Sequence, residues 1–316
     1  MTEVSVGARI RARWGLGLAA LGRPAYINLG RDGRHPSVEE MRARTHDTLD
    51  AAYDAGVRWF DAARSYGRAE EFLAGWLDAR RPDDVTVSSK WGYRYTADWR
   101  PDADVHEVKE HTLAHFTSQL AETRALLGGY LALYQVHSLT ADSPLFDDPA
   151  LQAALAGLAD EGVRVGFSTS GPTQPDALAR GLALRVDGVP VFTAVQATWN
   201  VLEPSADRAL GQAHDGGAHV LVKEPLANGR LAVEAPEAVV AIAHAHGVGP
   251  DAIALAAAAA RPWAGTVLLG AATVDQLSAN LAAASVDLTP DDLARLAELA
   301  EEPATYWDHR SSLAWV

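Results

Sequence analysis

Short apolar runs rich in β-branched residues alternate along the chain with longer stretches whose apolar residues recur every three or four positions. Eight runs read as strands: 14–21, 58–63, 85–90, 131–137, 164–170, 193–199, 219–225 and 266–271. The stretches 38–55, 69–79, 108–127, 149–160 and 235–246 carry the spacing of helices that cover one face of a sheet. Two of them end at a glycine, Gly56 or Gly162, of the kind that stops a helix just before the next strand. Strands separated by helices must run parallel, and eight such units close on themselves rather than leave edges to cover. The expected fold is therefore α/β, a single (β/α)8 TIM barrel. No linker rich in Gly, Pro or Ser interrupts residues 1–316, which read as one domain. Residues 289–301 predict an extra helix with Pro290 at its first position. The tail beyond it holds Tyr306, Trp307 and Trp315, and either closes over the barrel mouth or packs on the outer helices.

In such a barrel the chemistry sits at the C-terminal strand ends. Strand two ends in Asp61 with Tyr66 just beyond, strand three ends in Lys90, and strand four ends in His137. An Asp–Lys pair alone would be ordinary barrel structure, but these four residues converge on one rim from three consecutive strands. A lysine in a low-dielectric rim needs a counter-charge, which Asp61 can supply. A phenol with its pKa near 10 is a poor acid at neutrality, and a neighbouring ammonium is expected to lower that value. Tyr66 then becomes a usable general acid and His137 a group that orients or polarises a carbonyl oxygen, a set suited to adding hydride to a carbonyl.

With these residues in view, the chain resembles the aldo-keto reductase superfamily. The resemblance rests on Phe60-Asp61, Tyr66-Gly67, Glu70, Ser89-Lys90 and Gln135-Val136-His137, and runs from Gly15-Leu16-Gly17 to Gln276-Leu277 and Asn280. It implies an Asp–Tyr–Lys–His tetrad in which Tyr66 donates the proton, Asp61 and Lys90 tune it, and His137 positions the carbonyl. It also implies a nicotinamide cofactor, usually NADPH. Ser168, Thr169 and Gln196 stand where the family holds the carboxamide, with Thr169 replacing the usual Asn. Lys223 replaces an aromatic residue that stacks on the nicotinamide, ahead of Pro225, Leu226 and Gly229. This leaves Lys223 to meet the cofactor phosphates or to pair with Glu224. Gly270, Ala272, Gln276 and Asn280 match the loop that holds the adenosine 2′-phosphate. Relatives carry a basic residue near Ala272; its absence leaves NADH open beside NADPH. Tyr26, Asn28, Trp91 and Trp199 are the expected substrate-pocket residues, with Tyr93 and Tyr95 nearby.

Composition narrows the field. The formal charge of −14 argues against a nucleic-acid partner, and the absence of cysteine removes disulfides and thiolate chemistry. No histidine spacing suggests a metal site, and His244 and His246 read as surface residues. A polar N-terminus and the lack of a long apolar run suggest a cytoplasmic protein with no membrane partner. Of 27 basic residues only Lys90, Lys109 and Lys223 are lysines, which suggests positions that need an amine and, with the abundant Ala and Arg, a bacterial source. The leading expectation is an NAD(P)H-dependent oxidoreductase acting on a small aldehyde or ketone. A non-redox enzyme such as a dehydratase or isomerase, and a cofactor-sensing regulatory subunit, stay open. The departures at Thr169, Lys223 and Ala272 sustain the former. Substrate and oligomeric state are not read.

Overall fold

Each of the eight anticipated strands hydrogen-bonds in parallel to a neighbour on either side, and the ring closes. The computed structural model describes residues 6–7, 13–29, 36–100 and 102–315. Its strands are β1 (Trp14–Gly17), β2 (Trp59–Asp61), β3 (Thr86–Trp91), β4 (Tyr93–Tyr95), β5 (Glu107–Lys109), β6 (Leu131–Val136), β7 (Arg164–Ser168), β8 (Arg185–Val186), β9 (Val189–Pro190), β10 (Ala194–Thr198), β11 (His219–Lys223) and β12 (Thr266–Leu269). The barrel order is β1-β12-β11-β10-β7-β6-β3-β2, while β4–β5 and β8–β9 are antiparallel ribbons outside it.

The helices are α1 (Val38–Asp54), α2 (Ala69–Arg80), α3 (Leu113–Leu127), α4 (Pro149–Asp160), α5 (Gln174–Ala183), α6 (Asp207–Asp215), α7 (Glu237–His246), α8 (Pro250–Ala259), α9 (Val274–Leu281), α10 (Pro290–Ala297) and α11 (Pro303–Ser312). The stretch 108–127 was expected to be helical throughout, yet Val108 and Lys109 pair with Arg94 and Tyr93 in the β4–β5 ribbon. The helix starts only at Leu113, where the Thr112 side chain caps the backbone N–H of His115. The extra helix forms as α10, entered through a capping box of Thr289 and Asp292. His246 does not stand free at the surface: its Nε2 lies 3.0 Å from Asp292 Oδ2. Among the described residues no single helix is long and apolar enough to cross a membrane.

The barrel interior is filled by Leu133, Ala194, Leu221 and Leu268, with Trp59 packed against them. His219 stacks flat on Trp59 at 4.8 Å between ring centroids, and its Nε2 lies 3.0 Å from Thr266 Oγ1. Another histidine, the buried His111, lies outside the ring with Nε2 3.0 Å from the carbonyl oxygen of His137. Burial pushes both imidazoles down to about 4.

The first βα loop is clamped to the second at Gly22. A Cβ there would stand 2.3 Å from the carbonyl oxygen of Tyr66 and 2.4 Å from Cβ of Ala69, so no side chain fits. Gly67 answers it with a φ of 61° and a Cβ position 2.5 Å from the Gly22 carbonyl oxygen, which also accepts the N–H of Arg68 at 2.7 Å. The loop bearing Tyr66 is thereby fixed by backbone contact.

Two outcomes follow. Gly22→Val should lower stability by about 1–3 kcal/mol through overpacking, read as a lower midpoint in thermal unfolding. For the histidines, the unfolded chain titrates near 6.5 and the folded one near 4, so between those values the unfolded chain binds more protons. Their contribution is complete above pH 6.5 and falls as the pH drops towards about 4. Urea unfolding across that interval should show His111→Gln and His219→Gln losing less stability than the parent, whatever their stability at pH 7.

Candidate active site

The end of β2 carries Asp61, and the next strand, β3, carries Lys90 with no exposed surface. Lys90 Nζ donates to Asp61 Oδ2 and, at 3.0 Å, to the carbonyl oxygen of Ala62. The other carboxylate oxygen accepts from Ser88 Oγ at 2.6 Å and Gln135 Nε2 at 3.2 Å. The ion pair is thus buried, with hydrogen-bond partners drawn from three strands. Tyr66 covers it, the ring centroid 4.9 Å from Lys90 Nζ. His137, one residue past β6, meets Tyr66 edge to face at 5.5 Å and Tyr93 at 5.0 Å. Its Nδ1 lies 3.4 Å from Ser65 Oγ. Asp61, Tyr66 and His137 line one cavity of about 620 Å³ at the barrel mouth, with Lys90 beneath it. Glu70, from the same sequence motif, stays off the cavity and ties α2 to Ser89 at 2.5 Å, Thr123 at 2.9 Å and Arg64 at 2.5 Å.

Electrostatics correct one expectation. The pKa of Tyr66 is raised, by burial first and then by the Asp61 carboxylate, while Arg23 pulls it back. Lys90 is neutralised by Asp61 and sits against the ring face, so its pull on the hydroxyl does not win. His137 is held well below its ordinary value by burial, then by Lys90, Lys223 and Arg23, and is therefore neutral.

The mouth also contains charges that local sequence did not reveal. Arg23, 2% exposed, has its guanidinium 4.8 Å from the Tyr26 ring centroid, 5.1 Å from Tyr66 and 4.8 Å from Trp315. Its Nη1 donates to the carbonyl oxygen of Ser65 at 3.2 Å and to Glu107 Oε2 at 3.0 Å. Glu224 receives Nε of Arg310 at 3.0 Å, a second bond from Nη2 of the same guanidinium, and Thr198 Oγ1 at 3.0 Å. Burial opposes the charge on Glu224, yet Arg310 and then Lys223 hold its pKa at about 2. The C-terminal tail closes over the mouth: Arg310 and Trp315 line the cavity, and Trp315 stacks on His106 at 4.1 Å.

On the side expected to hold a cofactor, Gln196, Lys223, Pro225 and Leu226 line the cavity, as do Gly229, Gly270, Gln276 and Asn280. Ser168, Thr169 and Ala272 lie just off it and brace the loops. Ser168 Oγ accepts from Ser138 N at 2.8 Å, Thr169 Oγ1 donates to Gln174 Oε1 at 3.2 Å, and Ala272 N donates to Gln276 Oε1 at 2.8 Å. Lys223 Nζ donates to Thr198 Oγ1 at 2.7 Å and Ser170 Oγ at 3.1 Å, and stands 3.6 Å from Glu224. Burial brings its pKa down to about 8. Of the expected substrate residues, Tyr26 and Asn28 line the cavity, as does Tyr93. Trp91 and Trp199 do not. Trp91 packs on Phe116 at 5.0 Å, and Trp199 packs on Trp263 at 5.8 Å. Each follows an inward-facing residue by one position, and strand alternation turns it towards the helices.

One buried amide is conspicuous. Gln196, 1% exposed and part of the lining, has no partner for Nε2, and Asn228 leaves Oδ1 equally unpaired. A donor and an acceptor waiting on the wall suit a ligand with its own amide or hydroxyl groups, as a nicotinamide dinucleotide has.

A sequence model of the aldo/keto reductase family matches residues 15–301. Among curated proteins no sequence match was found. Solved structures share the fold. An aldo-keto reductase of Bacillus halodurans in its holo form is 21% identical, with a TM-score of 0.67 over 92% of both chains. A Pseudomonas aeruginosa protein described as an aldo-keto reductase is 22% identical, with a TM-score of 0.63 over 86% of this chain and 90% of its own. With the closed barrel, the four-residue cluster at its mouth and a family match across most of its length, the chain belongs to the aldo/keto reductase family.

Proposed function

We propose that the chain reduces an aldehyde or ketone to an alcohol, with Tyr66 as the proton donor. One observation carries this reading: the Tyr66 phenol lines the cavity directly over a buried Lys90–Asp61 ion pair. Gln196 and Asn228, with Lys223 and the glycines of the far wall, would hold the nicotinamide dinucleotide, which supplies a hydride when bound.

The protein's part is electrostatic. Burial keeps the Tyr66 proton in place until charge builds on the carbonyl oxygen, when Oη can give it up. The phenolate left behind has the Arg23 guanidinium 5.1 Å from its ring centroid, which favours it, while Lys90, at 4.9 Å, offsets the charge of Asp61. Because His137 is neutral, one ring nitrogen keeps a hydrogen to donate. Ser65 Oγ lies 3.4 Å from Nδ1, and in the tautomer that accepts the Ser65 hydroxyl there the hydrogen is on Nε2, available to the carbonyl oxygen. Trp315 and Tyr26 roof the mouth, limiting water at the reacting carbon.

Tyr66→Phe tests the assignment. It should lower the turnover of a simple aldehyde by about 10²–10⁴-fold, the usual worth of a positioned acid, while cofactor binding measured by tryptophan fluorescence stays within about twofold. Undiminished turnover, or conversion of substrate with no nicotinamide present, would sink the proposal.

A further inference from the structure

The two ends of the cavity differ in chemistry. All four lysines and arginines in its described lining, Arg23, Lys109, Lys223 and Arg310, come from the loop after β1, the strands β5 and β11 and the helix α11, which surround Tyr66 and Glu224. The opposite end runs over the rim beyond β12, lined by Gly270, Gln276, Ala279, Asn280 and Asp251. The loop 270–273, α8 and α9 contain no lysine or arginine at all. What this end presents is a carboxylate. Asp251, in the first turn of α8, accepts Nδ2 of the buried Asn280 at 2.7 Å through Oδ2, which leaves Oδ1 to accept another donor. Two of the backbone donors at this rim are taken: Ala272 N is held by Gln276 Oε1 at 2.8 Å, and Gln276 N by Thr273 Oγ1 at 3.2 Å.

The rest of the argument depends on the reductase reading above. On that reading the reacting ring would be held against Tyr66 and His137, and Asp251, in the lining of the same cavity at its far rim, would be among the residues that meet the adenosine ribose. NADPH and NADH differ there by one group. A 2′-phosphate carries close to two negative charges and calls for arginine or lysine and free N–H donors. A free 2′-hydroxyl is a donor that a carboxylate accepts, the means by which dinucleotide sites of other folds select NAD. We infer that this end selects the unphosphorylated ribose, so that the chain takes NADH in preference to NADPH. Asp251 is the residue that discriminates, and Asn280 holds it. The preference is opposite to the one the family resemblance suggests.

Titration of the full chain with each dinucleotide, followed by quenching of tryptophan fluorescence, tests this without reference to turnover. NADH should bind at least tenfold more tightly than NADPH. Asp251→Asn should narrow that ratio several-fold, weakening NADH and strengthening NADPH, and Ala272→Arg should strengthen NADPH alone. Equal or tighter binding of NADPH by the parent would overturn the inference and leave the reductase reading standing. A ratio unchanged in Asp251→Asn would remove Asp251 from the role. Binding of neither dinucleotide would take away the reductase reading itself, and this inference with it.

Discussion

A lysine with no exposed surface cannot stay charged in a barrel unless a carboxylate stays with it, and the arrangement around Tyr66 depends on that requirement. Asp61 answers Lys90, while Ser88 and Gln135 answer the oxygen that Lys90 leaves free. Removing either charge would strand the other where water cannot reach it, a far larger penalty than the pair contributes in net stability. The pair is therefore better understood as a fixed field beneath a phenol than as a staple for the fold. The backbone of Tyr66 is held against that field by the Gly22–Gly67 contact, two loops with no room for a Cβ between them.

Much of this was legible in the sequence. The barrel strands emerged from the alternation of short apolar runs with helical ones, and their C-terminal ends brought Asp61, Lys90 and His137 to one rim. Strand ends were overestimated, as at Ser170, Trp199 and Pro225, because the last residues leave the hydrogen-bond ladder to form the loops. Trp91 and Trp199 were misjudged for a related reason: being next to an inward residue means facing the other way. The β4–β5 ribbon went unread because strands of three residues have no period to detect. Arg23–Glu107 and Arg310–Glu224 join positions 84 and 86 residues apart, and no local pattern announces such partners. Lowering of the Tyr66 pKa failed as an expectation because proximity in sequence order gives no information on burial.

The mouth balances its charges in pairs while leaving its polar atoms incomplete. Arg23 with Glu107, and Arg310 with Glu224, hold the roof and tail without a large net field, whereas Gln196 and Asn228 keep unpaired amide atoms on the wall. Charges that are satisfied shape the cavity, and amides that are not mark where a ligand must finish the hydrogen bonding. The Glu224–Arg310 bond also draws α11 into the site, so a helix that belongs to no βα unit becomes part of the wall.

The distribution of amines has a practical consequence. The chain has three lysine side chains; Lys109 and Lys223 line the cavity and Lys90 lies sealed under it. Lys223, with its pKa near 8, carries a substantial fraction of free base in mildly alkaline buffer. Acylating dyes, aldehyde fixatives and amine-coupled supports, which on most proteins spread harmlessly over the outer surface, meet one exposed lysine here, Lys109, and it stands at the rim of the cavity itself. Conjugation through lysine is in effect directed to the mouth of the barrel, and attachment chemistry for this protein has to begin from carboxylates or an introduced cysteine instead.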